Sequence, residues 1–173
     1  MGVVSVDSSG SFEELPIKVV AAKKVTVQKY YCFYIDAEDV LQYRKYIHGK
    51  WLLNKQRKKN RKKIKPENYR ERISAALYFQ AMHKLVKHTD EIQIDYDFEG
   101  WRQKIVKAYL QRLFAKVYGG TSISDPSIDF ITDHCKVGEH IKEAHGKTQD
   151  AKHKELREMQ HCPSLEKLLD HLE

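Results

Sequence analysis

The chain has 173 residues, 41% of them hydrophobic, and a formal net charge of +7. This length supports one well-packed core, and the apolar content argues against wholesale disorder. The sequence shows neither a secretory signal pattern nor an apolar segment long enough to span a bilayer. Three cysteines without paired spacing, Cys32, Cys135 and Cys162, favour a reducing compartment. We therefore expect a cytoplasmic protein with one domain over residues 1–173 and no membrane partner.

The first part of the sequence predicts three β-strands. Residues 3–6, 17–27 and 30–35 are rich in β-branched and aromatic side chains. The Ser8-Ser9-Gly10 turn and Pro16 separate the first two. Because the connections are short, these strands are expected to pair as an antiparallel meander.

The rest of the sequence alternates helical and strand patterns. Helices are predicted from about Ala37 to Trp51, from near Pro66, and from about Gly100 to Val117, and strands at 91–96 and 127–131. A strand–helix–strand step implies parallel pairing with a right-handed crossover. The predicted fold class is therefore α/β, with a mixed five-stranded sheet of three antiparallel strands continued by parallel strands, and helices on both faces. A helical and basic segment at about 37–65 and a helical extension from about 150 complete the predicted domain.

Two aspartates follow predicted strands. Asp7 comes just beyond residues 3–6, and Asp97 comes just beyond residues 91–96. Carboxylates at adjacent strand ends are a simple way to bind a divalent cation through oxygen ligands. Asp95 shares a side with Asp97 because side chains alternate along a strand, so it is a rival for the same role.

A strongly basic run lies between two predicted helices. Eight of the eleven residues at 55–65 are lysine or arginine and none is acidic. Such a run is either a solvated linker or a segment that phosphate contacts would order. We expect nucleic-acid backbone binding without sequence specificity from its basic side chains: Lys55, Arg57, Lys58, Lys59, Arg61, Lys62, Lys63 and Lys65.

The order of elements resembles the ribonuclease H-like superfamily from about Val3 to Asp150. The turn Asp7-Ser8-Ser9-Gly10 and the stretch 97–105, DFEGWRQKI, are similar to the places where that family keeps metal-binding aspartates. The pair Ala75-Ala76 resembles the family's first long helix, and Glu71 is the nearest match to the glutamate near its start.

The resemblance implies a metal-dependent nuclease. Asp7, Asp97 and Asp133 would hold Mg²⁺ or Mn²⁺, with Glu71 completing the catalytic set and Asp129 as a rival to Asp133. Two bound ions would support hydrolysis of phosphodiester bonds in RNA, DNA or a hybrid. The alternatives are a non-catalytic nucleic-acid-binding module on the same fold and an interaction protein with an acidic partner.

Histidines in the C-terminal third were weighed for two other roles. His134 or His140 is a candidate proton shuttle, although a solvated surface histidine is the more common case. Together with Cys135 and His145 they suggest zinc only weakly, because their spacing matches no common ligand pattern.

Overall fold

The computed structural model describes residues 2–9, 17–24, 30–57, 68–87, 90–95, 100–131 and 160–172. Its strands are β1 Val3–Ser9, β2 Ile17–Lys24, β3 Tyr30–Asp36, β4 Glu91–Asp95, β5 Ser127–Ile131 and β6 Gln160–His161. The helices in these ranges are α1 Ala37–Arg57, α2 Tyr69–Met82, α3 Trp101–Val117 and α4 Glu166–Asp170. None of these helices is long and apolar enough to cross a membrane.

The six strands form one sheet in the order β5-β4-β1-β2-β3-β6. Strand β2 pairs antiparallel with β1 on one side and with β3 on the other. Parallel pairing joins β1, β4 and β5 into one group and β3 with β6 into another. The antiparallel strand β2 thus connects two parallel groups.

The predicted fold class is wrong. It has five strands with all parallel pairing on one side of the meander, whereas the sheet has six strands and a second parallel pair, β3 with β6, at its other edge. Strand β6 has two residues, too few for a hydrophobic pattern to show. The prediction of helices on both faces also lacks support, since the described helices form one layer in which α1, α3 and α4 all pack against α2.

Two predicted boundaries need correction. Strand β1 continues through Asp7 to Ser9, because β2 pairs with it along its whole length and places Asp7 opposite Ala21. Asp7 therefore lies within the strand and not beyond it. Helix α1 runs six residues past Trp51 to Arg57, and so includes Lys55. Residues 58–65 of the basic run lie outside the described residues.

Helix α2 lies at the centre of the core. Its residues from Glu71 to Met82 are buried apart from Gln80, which is the pattern of a helix covered on every side. It packs across β1, β2 and β3, and α3 covers its other flank with Val106, Leu110 and Phe114. Phe79 of α2 meets Phe114 edge to face, with ring centroids 4.9 Å apart.

A buried ion pair holds the starts of the central parallel strands together. Lys24, the last residue of β2, pairs with Asp90, which immediately precedes β4, and their side chains are only 6% and 3% exposed. The Asp90 carboxylate also accepts hydrogen bonds from the backbone N–H groups of Gly2 at 3.1 Å and Lys87 at 2.7 Å. Because this one carboxylate binds the residue before β1 and itself precedes β4, it aligns the two strands.

The protonation of Asp90 is linked to folding. Burial raises the pKa of Asp90, but hydrogen bonds from Lys24, Lys87 and Gly2 outweigh burial and bring the pKa below its ordinary value of 3.8. A carboxyl group whose pKa is lowered by folding stabilises the fold above its unfolded pKa, about 3.9. That contribution is lost as the pH falls from there through the folded pKa.

Replacing Asp90 with asparagine is expected to lower the free energy of unfolding by about 3 kcal/mol, because the Lys24 ammonium stays buried without its charged partner. The double variant Lys24→Met/Asp90→Asn is expected to recover most of that loss. Urea unfolding at pH 7 measures both effects. Between pH 5 and pH 3 the wild type should lose more stability than the double variant, and equal losses would contradict the role assigned to Asp90.

Candidate functional site

The parallel register of β1 and β4 brings two aspartates to one edge of the sheet. Val6 lies opposite Ile94 at the last registered pair, and Asp7 and Asp95 are the next residues on the two strands. Neighbouring strands lie about 4.8 Å apart, so these positions are adjacent. Side chains alternate along a strand, which places both carboxylates on the face opposite Val6 and Ile94. Asp7 is only 5% exposed.

Helix α2 runs opposite to β1 and brings Glu71 toward the same edge. Beyond the end of the helix, the Leu85 carbonyl accepts a hydrogen bond from Lys24 at 3.3 Å, near the start of β1. In the middle of the helix, the Tyr78 hydroxyl lies 3.0 Å from Ser8 Oγ, near the end of β1. Glu71 lies two turns before Tyr78, and therefore at the end of the sheet where β1 and β4 finish.

Glu71 is a buried carboxylate with an unsatisfied oxygen. The residue is 2% exposed, and its Oε1 lies 3.5 Å from Nε of Arg102 at the start of α3. Its Oε2 has no hydrogen-bond partner, and one turn later Ser74 Oγ has none either. Leaving a buried acceptor unsatisfied costs roughly 1–3 kcal/mol, and more when the group is charged. The fold thus keeps at this edge a carboxylate oxygen that nothing in the described structure satisfies.

Glu71 lines a pocket of about 710 Å³ whose walls are mainly basic. The pocket includes four permanent cations and one carboxylate, and its lining residues are Leu41, Arg44, Lys45, His48, Tyr69, Arg70, Glu71 and Arg102. The cations come from three helices, α1, α2 and α3. An excess of positive charge around a concave space favours an anionic ligand.

Tyr69 holds two of the pocket arginines. The Arg44 guanidinium lies over the Tyr69 ring at 5.0 Å from the centroid, and the Arg70 guanidinium lies at 5.7 Å. Arg70 Nε also donates a hydrogen bond to the Tyr69 hydroxyl at 3.2 Å. These contacts orient two side chains that carry forked N–H donors suited to phosphate oxygens.

The described part of the chain contains some of the predicted site residues and not others. It brings Asp7, Glu71 and the rival Asp95 to one end of the sheet. Asp129 is 59% exposed on β5 and lies 3.8 Å from Lys107 Nζ, so its described contact is a surface ion pair. The following predicted residues lie outside the described ranges: Asp97, Asp133, His134, Cys135, His140, His145 and the basic side chains at 58–65.

A different group has the closest spacing of metal-ligand atoms in the described residues. Ligand atoms of Asp36, Asp39 and His161 all lie within 4.8 Å of one another, whereas Asp7, Glu71 and Asp95 do not form such a group. Hydrogen bonds account for the arrangement. Asp36 and Asp39 each accept the other's backbone N–H at 2.9 Å, a reciprocal cap for α1, and His161 Nε2 lies 2.7 Å from Asp39 Oδ2. We assign this group to capping α1 and holding β6.

Two described cysteines are unsuited to nucleophilic chemistry. Burial raises the pKa of the Cys32 thiol to about 11. Burial, with a smaller contribution from the Asp39 charge, raises the pKa of the Cys162 thiol to about 12. Because the thiolate is the reactive form, both are inert near neutral pH.

The sequence prediction missed the basic pocket. Arg44, Lys45 and His48 lie within the predicted helix at a spacing that puts them on one face, and this was the available signal. Arg70 and Arg102 are separated from them in sequence and from each other. Only the packing of α2 and α3 shows that they line the same space.

Comparisons with known proteins leave the site to be interpreted from its own geometry. The chain matches no protein-family model, no curated protein and no solved structure. The resemblance to the ribonuclease H-like superfamily therefore stays a prediction.

Replacing Glu71 with glutamine is expected to leave the free energy of unfolding in chelator within about 1 kcal/mol of the wild type, because Oε2 has no hydrogen bond to lose and the amide oxygen still faces Arg102. Urea unfolding beside Asp90→Asn gives the comparison. A loss as large as that of Asp90→Asn would show that Glu71 serves the fold and not a ligand.

Proposed function

We propose that the protein is a metal-dependent nuclease that hydrolyses phosphodiester bonds of nucleic acid at the end of β1 and β4. The observation that carries the proposal is Glu71, a buried carboxylate with an unsatisfied oxygen, lining a pocket whose other charged groups are cations. A carboxylate alone would repel a phosphodiester. A carboxylate that holds a cation beside several basic side chains would attract one.

The donor set suits Mg²⁺ or Mn²⁺. These hard cations take oxygen ligands, and Asp7, Glu71 and Asp95 supply carboxylate oxygens from one end of the sheet. The unsatisfied Glu71 Oε2 is the kind of atom that such an ion satisfies. Asp97 and Asp133 remain proposed further ligands. When bound, the ion would lower the pKa of a water molecule and stabilise the charge that develops on the leaving oxygen.

The chain's own residues would bind and orient the substrate. Arg44 and Arg70 present fixed guanidinium groups on one wall, where they would hold non-bridging phosphate oxygens. Arg102 lies between Glu71 and the pocket, so it would orient that carboxylate and contribute positive charge opposite it. Lys55, Arg57 and the basic residues at 58–65 are proposed to add backbone contacts without base recognition.

The second candidate function is a nucleic-acid-binding module without catalysis. It is favoured by one observation: Asp7, Glu71 and Asp95 do not bring three ligand atoms within 4.8 Å of one another in the described structure. The same basic pocket would then bind a phosphate backbone and release it unchanged.

Cleavage assays test the proposed activity. Labelled single-stranded, duplex and hybrid oligonucleotides are incubated with the protein in Mg²⁺, Mn²⁺ or chelator. We expect cleavage with either metal and none with chelator. Asp7→Asn is expected to lower the cleavage rate at least about 100-fold, because removing one charged ligand weakens binding of the catalytic ion.

Asp129→Asn is the matched control, since it makes the same substitution at an exposed aspartate near the same edge of the sheet. It should retain wild-type cleavage. Activity that persists in chelator, or that survives Asp7→Asn unchanged, would refute the mechanism. Binding without cleavage under every condition would support the second function.

Metal binding can be measured without substrate. Mn²⁺ at 100 times its Kd is expected to stabilise the wild type and Asp129→Asn by about 2.7 kcal/mol, seen as a rise in Tm. The rise should be lost in Asp7→Asn and in Glu71→Gln. If His161→Ala removes the rise while those two variants keep it, the ion binds at the α1 cap and the proposed site is wrong.

A further inference from the structure

One large apolar side chain lies exposed beside the site. Trp101, the first residue of α3, is 61% exposed, more than any other large apolar side chain in the described ranges. Aromatic rings exposed to this degree are enriched where proteins bind partners. Nothing in the packing of α3 requires an indole at this position, since the buried residues of that helix begin at Val106.

Arg102 connects this indole to the basic pocket. Its guanidinium carbon lies 5.6 Å from the centroid of the Trp101 ring. Its Nε lies 3.5 Å from Glu71 Oε1, and the side chain lines the pocket. The exposed ring therefore lies at the rim of the pocket that holds the buried carboxylate.

An exposed aromatic ring beside a basic pocket distinguishes single strands from duplexes. Bases in a duplex are stacked on one another and present only their edges in the grooves. Bases of a single strand present their faces, which stack on aromatic side chains whatever the sequence. A ring at the rim therefore has a partner in a single strand and none along an intact duplex.

The shape of the pocket favours the same substrate. Its cations come from α1, α2 and α3 and surround a space of about 710 Å³, which is in the usual range for a small-molecule site. One strand can place a phosphate in such a space. A duplex carries two backbones on either side of a major groove about 12 Å wide, and it is matched by an open basic face.

We propose that the site acts on single-stranded DNA or RNA, or on a single-stranded end of a longer nucleic acid. A phosphate lies in the pocket against Arg44, Arg70 and Arg102, and an unpaired base stacks on Trp101. This inference rests on the proposed function and specifies its substrate class.

Binding in chelator tests the inference without requiring cleavage. Fluorescence anisotropy compares the full chain with oligonucleotides of one sequence as single-stranded DNA, single-stranded RNA, duplex DNA and hybrid. Single strands are expected to bind at least about 10-fold more tightly than either duplex. Trp101→Ala should weaken single-strand binding about 10-fold and leave duplex binding unchanged, whereas Trp101→Phe should retain most of the affinity. Leu53→Ala, which truncates another exposed apolar side chain, should have no effect.

A second pair of variants tests the pocket. Arg44→Ala/Lys45→Ala should weaken single-strand binding and lower the slope of log affinity against log salt by about 1. Lys116→Ala/Lys167→Ala removes the same charge from exposed positions elsewhere and should change the slope less.

The chain has two tryptophans, which allows a direct test of stacking. Single-stranded DNA should quench intrinsic fluorescence in Trp51→Phe, where Trp101 remains, and not in Trp101→Phe.

The results separate this inference from the proposed function. Tight single-strand binding that depends on Trp101, without cleavage in Mg²⁺ or Mn²⁺, would support the substrate class and refute the nuclease. Metal-dependent cleavage with duplex or hybrid bound as tightly as single strands, or with Trp101→Ala unchanged, would support the nuclease and refute the inference.

Discussion

The alignment of β1 with β4 is the constraint on which the site depends, and the buried Asp90 carboxylate maintains it. Asp90 pairs with Lys24 and binds the N–H of Gly2, so the starts of both strands are held by one group. Parallel strands that start at the same level also end at the same level. The register carries this alignment through Val6 and Ile94 to Asp7 and Asp95 at the opposite end. An electrostatic contact at one end of the sheet thus places carboxylates at the other end.

The two buried carboxyl groups of this architecture have opposite energetic roles. Asp90 is satisfied by an ammonium group and two backbone N–H groups, and it stabilises the fold. Glu71 is equally buried, but one of its oxygens has no partner. A protein retains such a group at a cost in stability when the group serves a ligand. The cations of the pocket have a similar meaning, because gathering Arg44, Arg70 and Arg102 in one place is unfavourable until an anion joins them.

Local pattern was sufficient for some elements and insufficient for the site. The strand predicted at 127–131 and the end of the helix at Val117 match β5 and α3, because alternation and the Gly119-Gly120 stop are encoded nearby in sequence. The extent of β1 was missed because its pairing with β2 continues past Asp7. The pocket was missed because three helices far apart in sequence contribute to it, and only tertiary packing brings them together. Periodicity predicts which face of a helix is buried, but not which neighbour covers it.

The central claim is that the carboxylates at the end of β1 and β4 share a divalent ion with Glu71. A crystal structure of the protein with Mn²⁺, phased to show anomalous scattering, tests it most directly. The account predicts an anomalous peak in contact with the carboxylates of Asp7 and Glu71. A map with no peak there, or with its only peak at Asp36, Asp39 and His161, would contradict it.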